Sequence, residues 1–296
     1  QDKVYVPVTN ADCLFEYSGT AQIDSLNSKL WHIKKENAQK AIKKILTELV
    51  NVYAKRKILT RAPYDTDLIE IKEFEAEFEY QETQDQLQAI EDVKNDMRSN
   101  TPMERLICGD VSFGKTEVAM RACAIACFNS RQCIVISPTT ILSMQHYSTF
   151  TDRFANFPVK IALLNSFTKK SDREKIKSGL EDGSIDILIS THSVYFADIN
   201  FRNLGLVIID EEQHFGVKIK AHFKQKYETV DMLYLSATPI PRTLNMAINS
   251  IFGISVIKTA PLSRKRIQTY VIKQTDKIIK EAIERELSRD GSVFFV

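Results

Sequence analysis

The sequence predicts an α/β fold, a mostly parallel sheet covered by helices, and three observations predict it. Gly109 to Thr116 reads G-x-x-x-x-G-K-T and lies between strand-like and helix-like residues. Leu206 to Ile209 is an unbroken apolar run ending in acids, the pattern of a parallel strand buried on both faces. Short polar runs also end three other apolar stretches: Ser137 to Thr140 after Gln132–Ile136, Ser190 to His192 after Ile185–Ile189, and Ser236 to Thr238 after Met232–Leu235. Each such ending alone is weak, because Ser and Thr commonly cap helices, but five in one order are not.

Along the chain, the first long element is a helix. No Gly or Pro interrupts Lys34 to Lys57, and Ala38, Ala41, Ile42, Ile45, Leu46, Leu49, Val52 and Tyr53 recur at helical spacing. An ordinary packing helix, with Lys34, Lys35, Lys40, Lys43 and Lys44 on its wet side, accounts for this pattern as well as a connecting helix does. Leu59 to Asp67, with Pro63 and several polar residues, reads as a linker. Phe78 to Gln86 precedes another helix, where Thr83 suits an N-cap and Phe78 suits a core position.

The chemistry of the Gly109–Thr116 loop follows from its residue types. Backbone N–H groups of Gly109, Asp110, Val111, Ser112, Phe113, Gly114, Lys115, Thr116 and Glu117, the Lys115 ammonium and the dipole of the helix starting there suit the phosphates of ATP. The Thr116 hydroxyl suits Mg²⁺, and Gly114 allows close backbone approach. Ser112 stands where a Gly would ease a positive φ, at a cost of about 1–2 kcal/mol. Ligands of open parallel sheets sit at the strands' carboxyl ends. There Asp210 is expected to hold Mg²⁺ through water and Glu211 to polarise an attacking water, although a solvated acidic turn would look the same in isolation.

With these segments together, the sequence resembles the superfamily 2 helicases and translocases. Gly109 to Thr116 matches motif I, Asp210 to Gln213 the DExx box, and Ser236, Ala237 and Thr238 motif III. Within that superfamily it is most similar to the bacterial transcription-repair coupling factor family, on Gly109 to Ala122, Pro138 to Thr140, Asp152 to Ala155, Asp210 to Gln213 and Ala237 to Met246. The branched-DNA helicases of the RecG family have a similar motor, but Tyr5 to Val8 and Tyr17 to Gly19 favour the coupling factors. Two departures stand out: Ser112 replaces a usual Gly, and His214 stands where Arg is common.

The resemblance implies a RecA-like P-loop lobe, preceded by a long connecting helix, in an ATP-driven motor that tracks double-stranded DNA and pushes on stalled RNA polymerase. It implies catalytic roles for Lys115, Asp210, Glu211 and Gln213, adenine recognition by Phe78 and Gln86, and coupling through Ser236, Ala237 and Thr238. It implies DNA contacts at Thr139, Thr140, Gln145, Thr191, His192 and Arg242, where hydroxyl, amide and backbone donors suit phosphates and carry no sequence information. Nucleotide excision repair proteins are partners through segments other than this one. The implied organisation is a remnant of the polymerase-interacting domain at 1–33, the helix and linker at 34–67, the first motor lobe at 68–262 and the start of a second at 263–296. In that second part, Gln268–Ile272 and Ser292–Val296 read as strands around a helix from Asp276 to Arg289. Because the second lobe supplies arginine fingers in this family, the expectation is a chain that binds ATP and hydrolyses it poorly.

Composition excludes little beyond this. The 296 residues are 44% hydrophobic and carry a formal charge of +2, so DNA affinity must come from local charge. Lys169, Lys170, Arg173, Lys175 and Lys177 form one basic cluster; Lys218, Lys220, Lys224 and Lys226 form another, and Arg264 to Arg266 a third. All read equally as solvated faces. No apolar run reaches about eighteen residues and no secretory signal begins the chain, so a soluble cytoplasmic protein without a membrane partner is expected. Cys13, Cys108, Cys123, Cys127 and Cys133 lack paired C-x-x-C spacing and read as reduced core thiols rather than zinc ligands.

Overall fold

The computed structural model describes residues 58–195, 199–215, 223, 225–237, 253–261 and 269–295. The predicted helix at 34–57, the segment at 1–33, Cys13, Thr238, Arg242, Arg264 to Arg266, and Lys218, Lys220 and Lys224 lie outside these residues. The chain divides into one compact unit ending at Pro261 and a second beginning at Leu262.

In the first unit the described strands are β1 (Glu104–Gly109), β2 (Gln132–Ser137), β3 (Ile161–Leu164), β4 (Ile187–Thr191), β5 (Leu204–Ile209), β6 (Asp231–Ser236) and β7 (Gly253–Ile257). They form one sheet in the order β3-β4-β2-β5-β6-β1-β7, and every described pairing is parallel. The helices are α1 (Ile69–Ala76), α2 (Gln84–Arg98), α3 (Lys115–Phe128), α4 (Thr140–Arg153) and α5 (Lys170–Asp182).

Burial on both faces explains the continuous apolar strands. Cys133, Val135, Leu206, Ile208, Leu233 and Leu235 point into one core with Phe74, Val93, Ile125 and Phe150 from α1 to α4. Their alternating neighbours Ile134, Ile136, Val207, Ile209, Met232 and Tyr234 point into a second core with Leu180 of α5, Phe201 and Phe223. Each large side chain so buried contributes about 1.5–3 kcal/mol. Small residues let α3 lie close to the sheet: Ala119, Ala122, Cys123, Ala124 and Ala126 are all buried.

Helix ends are set locally. Thr83 caps α2 in a reciprocal capping box with Gln86, and Ala89, Ile90, Val93 and Met97 give its buried stripe. Thr139 caps α4 by accepting from Leu142 N, and Gly183, at φ 80°, ends α5. The segment expected as a linker before the lobe is extended but fastened down. Arg61 pairs with the buried Asp231 at 3.0 Å and donates to the carbonyls of Met97 and Ser99. Tyr64 donates to Gly205 O at 3.2 Å.

In the second unit α6 (Asp276–Leu287) forms where a helix was expected, capped by Thr275. The strands expected on either side are corrected: 269–272 and 292–295 form no strand among the described residues. A strand needs a neighbour to take its backbone hydrogen bonds. Here Val271 and Phe294 are more than nine-tenths exposed. No described helix is long and apolar enough to cross a membrane.

Candidate functional site

Five of the segments singled out by sequence follow five adjacent strands of the sheet. Ser190–His192 lies at the end of β4, Ser137–Thr140 after β2, Asp210–Gln213 after β5, Ser236–Ala237 at the end of β6 and Gly109–Thr116 after β1, the order in which those strands neighbour one another. Parallel pairing throughout puts all five ends on one edge of the sheet.

The loop from Gly109 to Gly114 turns directly into α3. Ser112, expected to need left-handed backbone, adopts φ 65°, and Gly114, expected for close backbone approach, is left-handed too at φ 81°. A Cβ at Gly114 would drive into the Gln86 amide, and one at Gly109 would press on Ile257 at 3.2 Å. Lys115, only 9% exposed, folds its ammonium onto the carbonyls of Gly109 at 2.6 Å and Asp110 at 2.9 Å. Burial pushes its pKa below the ordinary lysine value, and Glu211, Asp210 and Asp110 pull it back up. Thr116 sits half-buried in the first turn of α3. Asp110, Val111 and Ser112 are exposed at the loop's crest, while Phe113 is half-buried against the core of α1 to α4.

Across β6 from the loop, the acidic segment is tightly held. Asp210 is 8% exposed; its Oδ2 lies 2.8 Å from His146 Nε2 and its Oδ1 accepts from Glu211 N at 2.9 Å. Glu211 adopts φ 50° and opens a short 3-10 turn, Glu212–His214. Gln213 donates to the Glu211 carboxylate and accepts from Ser236 Oγ at 3.3 Å. The structure thus joins Ser236, Gln213 and Glu211 in one chain of hydrogen bonds. His214 is exposed.

The adenine-reading candidates lie on the approach to α2. Gln86 accepts from Thr83 N at 2.8 Å and donates to Phe113 O at 2.8 Å. A carboxamide has two N–H donors and two acceptor lone pairs, so these bonds leave one donor and one lone pair of the buried Gln86 amide uncommitted by them. Arg121 lies over the Phe78 ring at 5.3 Å. Arg121 also pairs with Glu82 at 2.5 Å and Glu117 at 2.9 Å, and Arg153 reaches Glu117 at 3.1 Å. The Glu117 carboxylate is committed to these two guanidiniums, so its side chain braces the start of α3. Only the four-residue spacing of Glu117 and Arg121 was readable in advance.

Of the nucleic-acid candidates, Thr139, Gln145 and His192 are exposed, Thr140 is half-buried, and Thr191 is buried with its hydroxyl 2.8 Å from Ser193 Oγ. Lys169, Lys170 and Lys175 are exposed on or beside α5. Cys108, Cys123 and Cys133 are buried free thiols; Cys127 is free and partly buried. His146 was legible only as a polar residue on α4, since its pairing with Asp210 spans 64 positions.

A family model for DEAD/DEAH box helicases matches residues 83–247. The chain is 46% identical, over its whole length, to a transcription-repair-coupling factor of Borreliella burgdorferi, covering 27% of that protein. It is 43% identical to the transcription-repair-coupling factor of Haemophilus influenzae, again over the whole chain and 26% of the relative. It therefore spans about a quarter of the length of these curated relatives. Among solved structures, RecG bound to a three-way DNA junction superposes with a TM-score of 0.72 at 33% identity, over 88% of this chain and 36% of that one.

Proposed function

The chain belongs to the DEAD/DEAH box helicase family, and from that premise we propose that it is the ATP-binding lobe of a motor that moves on double-stranded DNA and displaces stalled RNA polymerase. The observation that carries this reading is the placement of Gly109–Thr116 and Asp210–Gln213 at the ends of β1 and β5, with β6 between them and Ser236 bonded to Gln213. The names of the relatives at 46% and 43% identity support the polymerase-directed part of it.

The residues present fit Mg-ATP. A left-handed Gly114 cradle, a buried lysine ammonium and a helix N-terminus suit a polyphosphate, and a buried carboxylate two strands away suits its cation. When bound, Mg-ATP supplies the phosphoanhydride bond and the cation that offsets its charge. Lys115 and the loop amides would hold the phosphates, Thr116 and Asp210 would hold the metal, and Glu211 with Gln213 would orient an attacking water. Phe78 and Gln86 contact the base, and Ser236, Ala237 and Thr238 relay the nucleotide state. Thr139, Thr140, Gln145, Thr191, His192 and Arg242 contact phosphates of the duplex.

In the same reading, residues 1–33 belong to a polymerase-interacting domain, 34–67 connect it to the motor, 68–262 are the first lobe and 263–296 begin the second. Excision-repair proteins are engaged by other parts of the whole protein, which works in the cytoplasm. These 296 residues by themselves turn ATP over at least about 10³-fold more slowly than a two-lobed form, since arginine fingers are worth 10³–10⁵. Steady-state ATPase assays on both forms, with and without duplex DNA, test this; equal rates would refute it.

The likeness to RecG favours a second reading, a lobe that serves branched DNA. Fluorescence anisotropy with plain duplex and a three-way junction separates the two: clear preference for the junction favours the second, equal binding the first.

A further inference from the structure

We propose that His146 is a positioning residue for Asp210, so that the placement of α4 sets how strongly the nucleotide site holds its divalent cation. This rests on the assignment of Asp210 as a metal-binding carboxylate. The two carboxylate oxygens have different partners. Oδ2 lies 2.8 Å from His146 Nε2 and Oδ1 accepts from Glu211 N at 2.9 Å. Asp210 N also donates to Ile136 O at 2.9 Å. The backbone bonds tie Asp210 to the ends of β5 and the neighbouring β2, whereas the imidazole comes from α4 and holds the second carboxylate oxygen.

His146 is itself fixed. It is 8% exposed and its ring meets Phe150, a fully buried residue one turn on, edge to face at 6.2 Å. One turn earlier, buried Ser143 donates to Thr140 O at 2.7 Å and accepts from Asn165 Nδ2 at 3.3 Å. A histidine serving only its own burial would be satisfied by any acceptor. This one meets Asp210, the first of the three carboxylates that follow β5 and the buried one. Its helix carries exposed Gln145 next in sequence, and exposed Ile141 and Met144 on its outward side. The outer surface of α4 is thus linked to Asp210 through its own helix and one hydrogen bond. Groups that orient a ligating carboxylate typically change metal affinity by about 10- to 100-fold when removed.

The test is calorimetry of ADP binding to the whole chain, with Mg²⁺ and with EDTA, for wild type, His146→Ala, His146→Gln and Lys115→Ala. His146→Ala is expected to leave ADP affinity in EDTA within about twofold and to cut the gain from Mg²⁺ about tenfold or more. His146→Gln, whose amide can place an N–H near the same point, should restore most of that gain. His146→Phe keeps the ring without a donor and repeats the His146→Ala result if alanine prevents folding. A Mg²⁺ gain unchanged in both His146→Ala and His146→Phe, or an equal loss with and without the metal, overturns the proposal. The Lys115→Ala arm separates the two levels: if it binds ADP as wild type does, the nucleotide-site reading fails and this inference with it.

Discussion

Gln86 donates from Nε2 to the carbonyl of Phe113 at 2.8 Å, binding the first turn of α2 to the loop that opens α3. The same amide closes the capping box with Thr83, so the start of one helix and the conformation of the phosphate loop are one structure. This arrangement explains why Gly114 must lack a side chain twice over: its φ is 81° and its missing Cβ faces the Gln86 amide.

Gly114→Ala is therefore expected to weaken Mg-ADP binding by about 5- to 30-fold, since left-handed alanine alone costs about 1–2 kcal/mol. Adding Gln86→Ala removes the collision but leaves the backbone strain and takes away a residue assigned to the base, so calorimetry of the double variant should not recover wild-type affinity. Wild-type affinity in Gly114→Ala would refute the cradle.

Asp85, beside Gln86, fastens the other end of the lobe. Its Oδ2 accepts from Lys258 N at 2.9 Å, Thr259 N at 2.8 Å and Thr259 Oγ1 at 2.8 Å, and these bonds, the Lys258 N–H first, hold its carboxyl below the ordinary range. Asp85→Ala is expected to speed hydrogen exchange of the Lys258 and Thr259 amides about tenfold. Unchanged exchange at both would show that Asp85 is not the clasp.

Asp231 has the opposite balance. Burial pushes its carboxyl up from 3.8 to about 6, although the Arg61 guanidinium and the Met103 N–H pull it down. A raised folded-state value means that this group favours the fold most below about 4 and that the contribution is lost as pH rises through about 6. The thermal midpoint of wild type minus that of Asp231→Asn should therefore shrink between pH 4 and pH 7. A difference that grows over that range contradicts the assignment.

The parallel sheet was legible because strands buried on both faces read as unbroken apolar runs, as at Leu206–Ile209, and because the phosphate-loop spacing tolerates few alternatives. Less visible were β3, only four residues long, and β7, which leaves Val256 partly exposed at the sheet edge. Short α1 buries only Ile71 and Phe74, too few positions for a clear helical period. Pairings across long sequence distances escaped entirely: Arg61 with Asp231 and His146 with Asp210 depend on the fold having formed. The strands expected at 268–272 and 292–296 followed from apolar, β-branched and aromatic residues, a preference that counts only where a neighbouring strand is present.

The central claim, a working phosphate loop in this lobe, is tested most directly by calorimetric titration of Mg-ATP into the chain and its Lys115→Ala variant without DNA. Saturable binding to the wild type, weakened about tenfold or more in the variant, is the predicted result, because a hydrogen bond to a charged group is worth about 1.5–3 kcal/mol. Equal affinity in the two proteins, or no binding to either, would contradict it.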